Sequence, residues 1–201
     1  MKQQKQDLPT TKKKDEESLS YLVEVRDKKG RVLQRISAPS RSFVQQWNQL
    51  INLQARQTNS TLRLTDGTTF SIAVGAGNLI IKAAIGVTTY GFRVGKGFTP
   101  VAIDDFALET PLAEGVGVDE FNHQLCEVFA YPVVVGTSSS HSWSRIFVNN
   151  SGATISGIRE IGAYMKMAAK FGLAWRDVLP GGVTVPDGGS ITVIYTIAAT
   201  V

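Results

Sequence analysis

The side chains able to carry proton transfer, nucleophilic attack or metal binding are few: two histidines, His123 and His141, and one cysteine, Cys126, in 201 residues. His123 and Cys126 stand at H-x-x-C spacing, which is half of a metal-binding set, but no second pair completes it and carboxylates with a single remaining imidazole make a poor zinc shell. Cys126 precedes an apolar run and reads as a small core residue. Ser138, Ser139 and Ser140 adjoin His141, yet a Ser-His-Asp nucleophile sits on a strained elbow that adjacency in a polar loop does not supply. The stretch GFRVGKGFTP, residues 91 to 100, approaches a phosphate loop and fails twice: Gly91 is one residue too close to Gly95-Lys96, and Gly97 replaces the magnesium-binding hydroxyl. Asp104, Asp105, Glu109 and Glu114 are the remaining acid/base candidates, of the kind a glycosidase pairs, and as acids spread along a loop they read as solvated. We therefore assign no catalytic, cofactor-binding or metal-ligating residue and expect a protein that is not an enzyme.

The elements that would position these residues follow from composition and pattern. Hydrophobic residues make 43% of the chain and charged residues 19%, enough for a packed core, while 19 glycines against three methionines favour strands and turns over a helical bundle. One cysteine excludes an intrachain disulfide framework. No apolar run reaches the length of a membrane span and the N-terminus lacks the apolar segment of a secretory signal, so we expect a soluble protein in which the sequons at Asn59 and Asn149 stay unused. The net charge of +4 is uneven: residues 22 to 63 carry eight Lys/Arg against two Asp/Glu, and residues 64 to 201 carry eight against eleven. No aromatic residues alternate with the basic ones as a base-stacking surface requires, and no specific nucleic-acid binding is expected.

Residues 1 to 19 read as a polar arm, and composition leaves a subunit-binding arm and a solubilising tail equally open. Two runs of high β propensity flank Asp27-Lys28-Lys29-Gly30, a hairpin. Phe43, Val44, Trp47, Leu50, Ile51 and Ala55 recur at helical spacing, which predicts one amphipathic helix over about 42 to 56, capped by Ser40 or Ser42. Short strands are expected at 62–64, 70–74 and 87–94. Two longer ones, CEVFAYPVVVG and HSWSRIFVNN, join through Thr137 to Ser140. The segment from Ala153 to Leu179 is ambiguous: Ile155, Ile158, Ile161 and Tyr164 suit a helix, whereas Gly157, Gly162 and Gly172 suit bent strands, and we choose strands. VTVPDGGSITVIYTI closes the chain as strand, turn and strand. The fold expected is mainly β, a β-sandwich of jelly-roll type spanning 20 to 201 with one amphipathic helix and the extended N-terminal arm.

Several phrases, taken in order, resemble a group of structural proteins from the virions of tailed bacteriophages: GFRVGKGFTPVAIDDFALETPLAEG, then RIFVNNSGATISGIREIGAYMK, then LAWRDVLPGGVTVPDGGSITVIYTI, preceded by YLVEVRDKKGRVL and SRSFVQQWNQL. The sequence departs from that group at Trp175 and over Met165 to Ala169. The resemblance implies a β-rich building block rather than a catalyst. Within the phrases, Arg159 and Glu160 need partners if buried, with Arg145, Arg176 and Asp177 as candidates, and Arg176-Asp177 reads as an internal pair.

The function expected is a non-enzymatic component of the virion, a capsid or tail part, assembling with itself or with neighbouring virion proteins through sheet edges and the arm, with no cofactor and no membrane partner. The partner-binding candidates are Lys12, Lys13 and Lys14 in the arm and Arg26, Lys28, Lys29 and Arg31 in the first hairpin. The alternative is a carbohydrate- or receptor-binding β-sandwich of a tail fibre or baseplate, which needs exposed aromatics such as Trp143, Tyr131 and Tyr90.

Overall fold

Alternation of apolar and polar residues from Leu19 onward builds the first strand, β1 (Glu16–Arg26), whose Leu19, Tyr21, Val23 and Val25 are buried. The computed structural model describes residues 16–40, 42–128 and 132–201. Lys12, Lys13, Lys14 and Tyr131 lie outside the described residues. The strand starts inside the stretch read as the arm, because Glu16 to Leu19 find ladder partners in Thr200 to Ile197.

Asp27 to Gly30 turn the chain as expected, with Gly30 at φ 79° and the Asp27 carboxylate accepting from the Lys29 and Arg31 N–H groups. β2 (Val32–Ser40) returns along β1. The helix α1 (Gln45–Arg56) begins later than expected and has no side-chain cap. Ser40 and Ser42 instead donate to Asp177, 137 and 135 residues away. The buried side of α1 is Gln46, Leu50 and Leu53, so Ile51 and Ala55 face outward, rotated from the expected stripe. Phe43 and Trp47 still turn inward, because their rings pack against Trp175.

The chain continues through β3 (Ser60–Arg63), β4 (Thr69–Ile72), β5 (Gly91–Gly95), β6 (Ala113–Glu114), β7 (Glu120–His123), β8 (Glu127–Val128), β9 (Val133–Val135) and β10 (Ser138–Val148). Ser138 to Ser140, expected in a connecting loop, belong to β10, where they pair with Thr200 to Ala198. β11 (Ile155–Met167), β12 (Lys170–Val185) and β13 (Ser190–Thr200) complete a mainly β protein with one helix.

The largest sheet runs β2-β1-β13-β10, and the far edge of β10 is covered in turn by β9, β8 and β7, with β6 beyond β7. A second sheet runs β12-β11-β5, and β3 and β4 form a separate hairpin. Inward residues of the two larger sheets meet around Trp175, whose ring lies 5.4 Å from Tyr195, 5.8 Å from Trp143 and 6.4 Å from Phe92. Burying such rings is worth roughly 1.5–3 kcal/mol per large side chain, which makes this cluster the centre of the core. Among the described residues no helix is long and apolar enough to cross a membrane.

Candidate functional site

The glycines of β11 and its neighbours make room for one buried ion pair. The register of β11 on β12 shifts between Ile158 and Glu160 and again between Ala163 and Tyr164, and each irregularity re-aims the side chains that follow. Glu160, fully buried, therefore points to the outer face of the β12-β11-β5 sheet together with Arg176. Arg176 Nε–H donates to Glu160 Oε2 at 3.0 Å, and its Nη1 donates to the Thr99 carbonyl and the Asp105 carboxylate. Glu109 Oε2 lies 3.5 Å from Arg176 Nη2. Glu160 also accepts the N–H groups of Gly97, Glu109 and Thr110. A Cβ on Gly97 would meet Glu160 Cδ at 2.7 Å, so only glycine lets the backbone come this close to the carboxylate.

The result is a latch that holds residues 97 to 110 across the sheet, with Leu108 packed on Tyr164, Leu173 and Val44 beneath. A cleft of about 340 Å³ lies beside it, lined by Thr99, Asp105, Phe106, Ala107, Leu108, Glu109 and Arg176. Of the loop acids singled out in the sequence, folding brings Asp105 and Glu109 to this guanidinium, leaves Asp104 exposed and sends Glu114 elsewhere. Hydrogen bonds from Thr99, and then the Phe98 N–H and the Arg176 charge, hold Glu109 below the usual carboxylate range. A general acid needs its pKa raised, so the direction here opposes glycosidase-type chemistry. Glu160 was named in the sequence only as a group needing a partner; its four bonds come from segments 16 to 63 residues away, which no local pattern announces.

Arg176 and Asp177 do not pair with each other, because neighbours on a strand point to opposite faces. Asp177 faces the other way and accepts from Tyr195, Ser40 and Ser42. Burial raises its pKa and these three bonds oppose the rise. Arg145 does not meet Glu160 either. It is fully buried and donates to the carbonyls of Gln124, Phe92, Ala84 and Val87, stapling two loops to β5. Arg159 is exposed.

Comparison with known protein families, curated proteins and solved structures finds no match.

His123 and Cys126 go separate ways. His123 Nδ1 lies 2.7 Å from Glu114 Oε2, its ring meets Phe147 edge-on, and its buried Nε2 has no partner among the described residues. Burial, then the charges of Arg145 and Arg93, push its pKa down to about 4, so the ring is neutral at pH 7. Cys126 is buried in the main core, and burial pushes its thiol up. Among the described residues no three His, Cys, Asp or Glu side chains converge as a metal shell. The Ser138 hydroxyl shares a hydrogen bond with Thr200, and His141 stands edge-on against Trp143.

The four expected partner-binding residues within the described chain, Arg26, Lys28, Lys29 and Arg31, are all exposed at one turn. Two of them are neutralised locally: Arg26 on Glu24 at 2.6 Å and Arg31 on Asp27 at 2.7 Å. Lys28 and Lys29 take part in no ion pair among the described residues, and Arg35 on Glu24 adds a cation the sequence reading had not singled out. Elsewhere, basic and aromatic residues that are distant in sequence do meet: Arg63 over Phe106 at 3.8 Å, Lys170 over Phe70 at 4.5 Å and Lys166 over Tyr90 at 5.8 Å. Each of these rings is faced by one of the chain's own cations.

Proposed function

We propose that this chain is a non-enzymatic building block of a tailed-phage virion, a capsid or tail component that assembles with itself or with neighbouring virion proteins through sheet edges and its N-terminal segment. The observation that carries this reading is where the resembling phrases go. Gly97, Thr99, Asp105, Glu109 and Thr110 belong to the first phrase, Glu160 to the second and Arg176 to the third, and all converge on one buried ion pair. Residues of the resembling phrases thus hold segments of the fold together, and the two loop acids beside the cleft, Asp105 and Glu109, are engaged by Arg176. That supports a scaffold over a catalyst.

We infer the finer architecture to be a β-sandwich of jelly-roll type, supported by the meeting of the two larger sheets around Trp175 and Tyr195. The exposed turn with Lys28 and Lys29 supports a role for the hairpin in contacts with acidic neighbours, alongside the N-terminal lysines Lys12, Lys13 and Lys14. The receptor-binding alternative gains no support from Trp143 and Tyr90, which pack against the core and so form no exposed platform.

Mass spectrometry of purified particles, separated into heads and tails, tests the reading. Many copies with either fraction supports it, the fraction giving the location, and absence from both overturns it.

A further inference from the structure

The loop between β6 and β7, residues 115 to 119, is folded tightly around one carboxylate. Glu120 Oε2 accepts the Gly117 N–H at 2.8 Å, the Glu120 N–H donates to the Gly117 carbonyl, and the Gly115 N–H donates to the Phe121 carbonyl. A Cβ on Gly115 or Gly117 would run into that carboxylate, so glycine is what lets the loop close. The two valines of the loop are turned outward as a result: Val116 is 61% exposed and Val118 81%. Residues 114 to 120 carry three acids, Glu114, Asp119 and Glu120, and no base, and the Lys96 ammonium reaches only Asp119.

The β1–β2 turn has the complementary make-up. Residues 26 to 31 carry four cations against Asp27, and Lys28 and Lys29 take part in no ion pair among the described residues. Just beyond them Val32 is 48% exposed and Leu33 53%. Both corners stand at one end of the largest sheet. Arg26, Ser190, Val148 and Asn122 lie in one row across β1, β13, β10 and β7. These strands alternate in direction, so β1 leaves the row towards Lys28 on the same side from which β7 enters it from Asp119. Three strand spacings separate β1 from β7 along the row, about 14 Å. The turns between them, 149–152 and 186–189, add one charge, Asp187, which accepts the Gly152 N–H.

We propose that this end of the sheet is a self-complementary docking face, on which the Val116–Val118 loop of one copy receives the Lys28–Leu33 corner of a second copy, and the reverse. This rests on the assembly reading above and names the surface and the partner. The occupant is argued from the pairing of opposites on a single face. Within one chain β13 and β10 stand between the two corners, so they do not satisfy each other. An unrelated basic or acidic partner matches one corner and is opposed by the other, whereas a second copy matches both. A two-fold axis normal to the sheet, placed at its end, exchanges the corners. Acid then meets base, and Val116 and Val118 meet Val32 and Leu33, twice in one dimer, as an isologous contact requires. A two-fold along the row would instead set the lysines on lysines and the acids on acids. The contact is small, weak between two isolated copies and effective when many copies are held together.

The test is sedimentation equilibrium of the full chain at high protein concentration. The parent should form a dimer whose dissociation constant rises at least tenfold between about 0.1 M and 1 M salt. Lys28→Glu with Lys29→Glu, and separately Val116→Lys with Val118→Lys, should each give a monomer while circular dichroism and melting temperature stay those of the parent, since all four side chains are exposed. Mixed in equal amounts, the two variants should recover a dimer, because glutamates then face lysines at one contact and the other contact is native. A parent that stays monomeric overturns the proposal, as does a dimer that survives either change. Variants that stay monomeric when mixed overturn it too, and growth of the parent beyond a dimer would mean a head-to-tail contact in place of the two-fold. Particle mass spectrometry reads the virion role independently, so failure of this contact and failure of that role are separate results.

Discussion

Arg176 and Glu160 form an ion pair that is all but sealed from water: the guanidinium is 2% exposed, the carboxylate 0%, and Nε lies 3.0 Å from Oε2. Two charges taken out of water at this depth persist only because each has its remaining hydrogen bonds satisfied. Backbone amides do this for Glu160, and the Thr99 carbonyl and the Asp105 carboxylate do it for Arg176.

Removing one partner should be severe. Arg176→Ala is expected to destabilise the fold by about 3–5 kcal/mol in chemical denaturation, because the Glu160 charge stays buried without a cation, and Glu160→Ala by about 2–4 kcal/mol, because the Gly97, Glu109 and Thr110 amides lose their acceptor while Arg176 keeps Asp105. Hydrogen exchange should show lost protection at the Gly97 and Thr110 amides. Asp105→Asn, at a carboxylate that is partly exposed, should cost less than about 1 kcal/mol.

Acid should weaken the protein through His123. Its folded pKa of about 4 lies below the ordinary imidazole value of 6.5, so the unfolded chain takes up a proton first as pH falls. Stability is therefore full above about pH 6.5 and declines as pH drops from 6.5 towards 4, by up to about 3 kcal/mol from this group. Urea denaturation at pH 7, 5.5 and 4.5 checks the slope, and His123→Gln should flatten that part of it.

The thiol of Cys126 should be silent in the native state. It is buried and its pKa is raised by burial, so little thiolate forms and none reaches solvent. A chromogenic disulfide reagent is expected to label it more than a hundredfold faster in guanidinium than in buffer. Rapid native labelling would mean that the segment around Ala83, whose carbonyl accepts the Cys126 N–H, opens readily.

Reversing charge at the first turn separates assembly from folding. Lys28→Glu combined with Lys29→Glu touches two exposed side chains with no ion pair among the described residues, so stability should change by less than about 1 kcal/mol. Under the proposed function, incorporation into particles should fall several-fold. Normal incorporation would remove the hairpin from the contact surface.

Much of the strand order was legible because alternation and turn chemistry are local. The β1–β2 hairpin and the final Pro186-Asp187-Gly188-Gly189 turn lie where their residue types put them. The segment that looked helical shows how such a pattern deceives: Ile155, Ile158 and Ile161 recur every third residue and all join the main core, because register shifts on either side of Ile158 add residues to an alternating strand. Ser40 and Ser42 read as caps of the helix, but neither caps it, and both bond Asp177, which is more than 130 residues away.

By itself the sequence determined a β-rich chain, the placement of its hairpins, one helix, and a scarcity of catalytic groups, since each follows from residue type and near-neighbour spacing. Only the tertiary structure decided which charges meet. The loop acids Asp105 and Glu109 close on Arg176 from 71 and 67 residues away. His123 is neutralised by burial among guanidiniums. The valines of β9 are left bare. Each outcome depends on strand register and on where a loop returns to the sheet, and those are set by packing summed over the whole chain rather than by any window of it.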